Sequence, residues 1–172
     1  AWNNIGTDKK MLVVLVDFPN LTGGVVSQAT AQSGCNEVNT YYHANSHGKF
    51  GYETMDVTPV LRMPQPTSHY VSNNNFYGLA NDTISAATNA GYTPNNYQFF
   101  VIAFKDIYDW AGLGTIGKPS GYNFSISWLN GSIGIFFTPI CHPIWLKKFM
   151  IKRSTSKKSD LVQLKKTVNK QK

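Results

Sequence analysis

An α/β domain built on a mixed sheet is the fold class this sequence predicts, and three observations predict it. KKMLVVLVDFP (Lys9 to Pro19) and NYQFFVIAFKD (Asn96 to Asp106) are continuous apolar runs dense in β-branched or aromatic residues, the pattern of strands buried on both faces. Stretches with apolar residues at helical spacing lie between those runs. NFSISWL (Asn123 to Leu129) alternates apolar and polar residues like a shorter, half-buried strand. Strands alternating with helices must layer them on one another to bury both sets of apolar faces.

The elements follow in order. Lys9 to Pro19 reads as a central strand ended at Asp17 and Pro19. CNEVNTYYHANSH (Cys35 to His47) places Val38, Tyr41, Tyr42 and Asn45 on one helical face, and Gly48 is a natural stop. GYETMDVTPVLRMP (Gly51 to Pro64) reads as a strand broken near Pro59, and SNNNFYG as a polar loop. Leu79, Thr83, Ile84, Ala87 and Ala90 recur at helical spacing before Gly91. DWAGLGTIGKPSG is glycine-rich and irregular by pattern alone. After Leu129, NGS offers a turn and a helix N-cap at Ser132.

The chain has 172 residues, 42% of them hydrophobic and 13% aromatic, enough for one domain with a real core. No apolar run is long enough to cross a membrane as a helix. AWNNIGTDKK carries neither an initiator Met nor a signal peptide, so the chain reads as a mature product or a fragment. The net charge of +7 is unevenly placed. Residues 1–134 hold six basic and eight acidic residues, whereas residues 135–172 hold ten basic residues and only Asp160. The basic character therefore belongs to the tail and gives no reason to assign nucleic acid or a membrane surface as partner of the main domain. Two cysteines, Cys35 and Cys141, allow one disulfide, but two free thiols is the favoured reading. Four sequons, at Asn20, Asn81, Asn123 and Asn130, hint at a secreted context.

KKMLVVLVDFPN, VNTYYHANSHGKF, YQFFVIAFKD, DWAGLGTIG and SWLNGS, taken in that order and spacing over about residues 8–134, resemble the gametolysin-type (peptidase M11-like) zinc metallopeptidases of the zincin superfamily. The resemblance implies a zincin-like mixed sheet of five strands with helices packed on it, here the N-terminal subdomain over 1–134. It implies one antiparallel edge strand lying along the substrate, written here Trp110 to Gly117. Gly112, Leu113, Gly114 and Thr115 then line the peptide cleft and pair with an extended peptide or protein substrate by β-augmentation; an ordinary loop is the competing reading of the glycines. The family is secreted and hydrolyses internal peptide bonds with a zinc-activated water. Its strand matching NFSISWL leads into a helix carrying His-Glu-x-x-His, with two zinc ligands on one face and the Glu as general base. A third His completes the site.

The sequence departs from that pattern where the helix should begin. Ser132 to Trp145 reads SIGIFFTPICHPIW, with His142 as its one histidine, no Glu, and Pro139 and Pro143 where helix interior is needed. No His-Glu-x-x-His occurs anywhere. Zinc belongs to the parent family; none is expected for this chain, nor any catalytic residue. Residues 135–172 read as an irregular basic tail foreign to the resemblance. Either a frame slip or a misjoined gene segment put them there, or the chain is a pseudoenzyme with a new tail that keeps its edge strand for binding. Within that tail DLVQLKKTVNK has the pattern of a weak amphipathic turn or two, but a frayed or disordered tail is the reading adopted.

Other residues tempt a metal or catalytic reading. His43 and His47 have the i, i+4 spacing of a ligand pair, but the residue after His43 is Ala44 and no third ligand is near in sequence; a solvated or structural pair is the reading adopted. Cys141 and His142 are adjacent, which chelates one ion poorly. Asp17 ends a buried strand, where α/β sheets often carry functional groups; a loop-bonding role is the simpler expectation.

Overall fold

The computed structural model describes residues 6–131 and the backbone of Leu161–Lys165. Its strands are β1 (Lys9–Asp17), β2 (Tyr52–Val57), β3 (Leu61–Arg62), β4 (Phe99–Phe104), β5 (Trp110–Thr115), β6 (Ser125–Asn130) and β7 (Leu161–Lys165). Its α-helices are α1 (Gln28–Asn45), α2 (Thr67–Val71) and α3 (Phe76–Asn89). The main sheet has the order β2-β1-β4-β6-β5-β7, and the short β3 pairs with the end of β1. The first four strands in that order are mutually parallel; β5 runs antiparallel to β6, and β7 antiparallel to β5.

β1 is buried on both faces, as its unbroken apolar run requires. Leu12, Val14 and Val16 face one layer with Leu79, Ala80 and Ala87 of α3. Val13 and Leu15 face the other with Ala31 and Cys35 of α1. The helices therefore lie on opposite sides of the sheet, and the mixed α/β architecture predicted from the sequence is the one observed.

Several bounds differ from the sequence reading. α1 starts seven residues earlier than Cys35, at Gln28, with the Ser27 hydroxyl accepting from Thr30 N–H at 3.1 Å. Its buried face is Ala31, Gly34 and Cys35, while Tyr42, expected on the inner face, is 43% exposed. Cys35 is a free, buried thiol whose pKa burial pushes up to about 12. The break near Pro59 separates β2 from β3. SNNNFYG contains a 3-10 turn at Ser72–Asn74 and the start of α3, which Asn75 caps by accepting from Gly78 N–H at 3.1 Å. The expected helix after Ser132, and Pro139, Cys141, His142 and Pro143, lie outside the described residues.

The two flanks of the sheet are finished differently. On the β2 side, α1 lays three amide side chains along the backbone. Gln28 donates to Val57 O at 2.7 Å and Gln32 to Met55 O at 2.9 Å. Asn39 donates to Tyr52 O at 2.9 Å and accepts from Tyr52 N–H at 2.7 Å. Side chains thus take the hydrogen bonds another strand would use, which blunts the edge. Gln28→Ala and Gln32→Ala are each expected to lower stability by about 1 kcal/mol through the lost bond, measured as a fall in the urea midpoint. On the β5 side the outer backbone is paired with β7.

Candidate functional site

β5 is the centre of the candidate site. Gly112 pairs with Leu129, Leu113 with Trp128 and Gly114 with Ser127 of β6. A Cβ on Gly114 would lie 3.6 Å from the Ser127 hydroxyl, an ordinary contact, so the position tolerates a side chain. Gly112, Leu113, Gly114 and Thr115 therefore stand on a strand, not in the irregular loop that glycine content suggests. Trp110 and Leu113 are buried, and Ile116, just past the strand, is 67% exposed.

The strand is held at both ends. At its start, Asn130 is only 3% exposed. Its Oδ1 accepts from Ile107 N–H at 2.7 Å and Tyr108 N–H at 3.1 Å. Its Nδ2 donates to Asp106 Oδ1 at 2.9 Å, to Tyr108 O at 2.9 Å and to Trp110 O. Donors on one side and acceptors on the other leave the amide a single orientation. One side chain thus fixes the whole β4–β5 connection. Trp110 stacks on Tyr108 with ring centroids 4.5 Å apart and meets Phe104 edge-on. At the far end, the Thr115 hydroxyl accepts from Ile126 N–H at 3.0 Å and donates to Gly117 O at 2.9 Å. The sequence marks Asn130 as the start of a turn and as a sequon; its buried, fully engaged amide leaves nothing for a glycan in the folded chain.

The outer side of β5 carries β7. Thr115 pairs with Leu161, Gly114 with Val162, Leu113 with Gln163, Gly112 with Leu164 and Trp110 with Lys165, with one irregularity between Trp110 and Gly112. Leu161–Lys165, in the tail expected to be frayed or at most a weak amphipathic turn or two, is a strand, and the strand expected at the sheet edge lies one place inside it. The preference of that segment is overridden by the backbone groups β5 offers, which a peptide strand satisfies wherever it comes from.

The remaining candidates are dispersed. Asp17, at the end of β1, accepts from Arg62 Nε at 2.6 Å, from a second Arg62 nitrogen at 2.9 Å and from Gly23 N–H at 2.7 Å. It ties a loop whose glycine has φ +82°, in line with loop bonding. Burial alone would raise this carboxyl, but bonds from Arg62 and Gly23, with the charges of Arg62 and Lys105, outweigh it and hold the pKa below 3.8. A depressed carboxylate pKa contributes stability that is present above the unfolded value and lost as pH falls through the folded one. Asp17→Asn is accordingly expected to flatten the acid limb of stability below about pH 4, read from urea midpoints across that range.

His43 and His47 are both exposed, and His47 has φ +54° at the C-terminus of α1. His69 is on α2, edge-on to Tyr70. Among the described residues no three His, Cys, Asp or Glu side chains come together as a metal site. The described residues do not assemble a ligand set of the kind the resemblance implies. An open depression of about 710 Å³ lies between α2 and α3, lined by neutral groups including Gln65, Ser68, Asn73 and Asn74. Among the described residues no helix is long and apolar enough to cross a membrane. No family model, curated protein or solved structure matches the chain.

Proposed function

We propose that this chain is the N-terminal subdomain of a secreted, gametolysin-type zinc metallopeptidase scaffold, and that it binds peptides in extended conformation along β5 without hydrolysing them. The observation that carries the proposal is that the outer edge of β5 takes up an antiparallel strand, β7. Main-chain pairing of this kind gives affinity for any extended peptide, with side-chain pockets adding preference. The exposed Ile116 supplies apolar surface beside that edge. Further support comes from a sheet with a single internal reversal, at β5, in the segment the resemblance assigns to the substrate strand.

Hydrolysis by the mechanism of that family needs zinc-bound water and a general base. The sequence supplies neither a His-Glu-x-x-His nor any histidine beyond His142. Nucleic acid and membrane are not proposed as partners, because the excess of basic over acidic residues lies outside residues 1–134. The full chain, isotope-labelled, is to be titrated with a blocked alternating valine–threonine peptide. Chemical shift changes are expected at Trp110–Thr115 and across β6, with no cleavage when zinc is added. Because β7 pairs with the same edge, the titration is carried to several times the roughly millimolar effective concentration of a tethered strand. Peptide at that level that leaves β5 unperturbed would overturn the binding proposal, and zinc-dependent cleavage would overturn its non-hydrolytic half.

A further inference from the structure

We infer that β7 is a resident competitor for the peptide edge, so that the chain's own C-terminal segment regulates access to β5. The inference rests on the peptide-binding reading and adds an occupant to it. The outer carbonyls of Tyr52, Met55 and Val57 on β2, and the Tyr52 N–H, are bonded to Gln28, Gln32 and Asn39 of α1, so that flank has few acceptors left to offer a strand. β5 is the flank that accepts one, and β7 covers it from Trp110 to Thr115. That is the full length of β5. A peptide cannot pair with those groups while β7 holds them.

Among the described residues β7 is the last strand of the sheet order and pairs with β5 alone. Its removal therefore costs no other ladder. It is also tethered, and a tethered competitor acts at an effective concentration on the order of millimolar. An external peptide of similar intrinsic affinity is then held off until its own concentration reaches that range. An event that draws Leu161–Lys165 away would open the edge.

The test uses the full chain and a Gln163→Pro/Leu164→Pro double variant. Adjacent residues of a strand aim their N–H groups to opposite sides, so one of the two prolines removes a donor to β5 whichever way the register faces. The probe is a fluorescent, blocked peptide with the sequence of residues 160–166. Amide hydrogen exchange is followed in parallel, with β1, β4 and α3 reporting that the fold persists. The expected result is loss of protection in β5 and at least tenfold tighter peptide binding by the variant. If β5 protection is unchanged by the prolines, β7 is not its occupant and the inference fails, while peptide binding by wild type would leave the functional reading standing. If protection is lost and neither protein binds the probe, the inference and the functional reading fail together.

Discussion

Asn130→Ala is expected to lower stability by about 3 kcal/mol and to detach the start of β5 from the sheet. The wild-type amide satisfies two backbone N–H groups, two backbone carbonyls and the Asp106 carboxylate. Alanine strands the backbone partners in a buried place, and each orphaned group costs about 1–3 kcal/mol before relaxation and water entry reduce the sum. Trp110 reports the event directly, because its stacking on Tyr108 depends on the same connection. Its emission should shift to longer wavelength before global unfolding, and peptide affinity should fall with it. Asn130→Asp separates hydrogen bonding from shape. It keeps the acceptor for Ile107 and Tyr108 but turns a second oxygen towards Asp106 and two carbonyls, so it should be at least as damaging as alanine. A near-neutral Asn130→Asp would show that the amide's donors contribute little.

Trp128→Ala is expected to cost about 4 kcal/mol, the range for a fully buried Trp truncated to Ala. Trp128 has no exposed surface. It packs edge-on against Phe76 and Tyr77 at 5.6 and 5.7 Å, and its Nε1 donates to Phe76 O at 3.0 Å. The residue thus joins β6 to the start of α3. Against a total stability of about 5–15 kcal/mol, the loss leaves the variant near its folding limit at room temperature. Trp128→Phe keeps an aromatic ring and should cost about half as much. Equal urea midpoints for the two variants would mean the ring's volume matters less than its N–H.

The strands buried on both faces were the most legible part of the fold. Lys9–Asp17 and Phe99–Phe104 are runs whose length and β-branched or aromatic content leave few alternatives. The first turns of α1 were illegible for a definite reason. They bury Ala31 and Gly34, small residues that let the helix lie close to the sheet, and small residues make no apolar stripe. α2 is five residues long after Pro66 and leaves no periodicity to read. β5 was hidden by its two glycines and named only through the resemblance. Its partner β7 is about fifty residues away in sequence, and non-local pairing leaves no local mark. Asn130 carried a signal of a different kind. Its Asn-Gly turn and sequon drew notice, while the anchoring role follows from burial, which sequence alone does not reveal.

The amide row of α1 also sets how copies of this sheet can grow. Joining sheets edge to edge without end requires two receptive margins on each molecule, and β2 has its margin closed by Gln28, Gln32 and Asn39. Two chains meeting through β5 edges that β7 has vacated would use up the receptive margin of each and stop at a pair. Removing all three amides would reopen the β2 margin and turn that pair into a unit able to propagate, so three side chains on one surface helix stand between a finite assembly and a fibre.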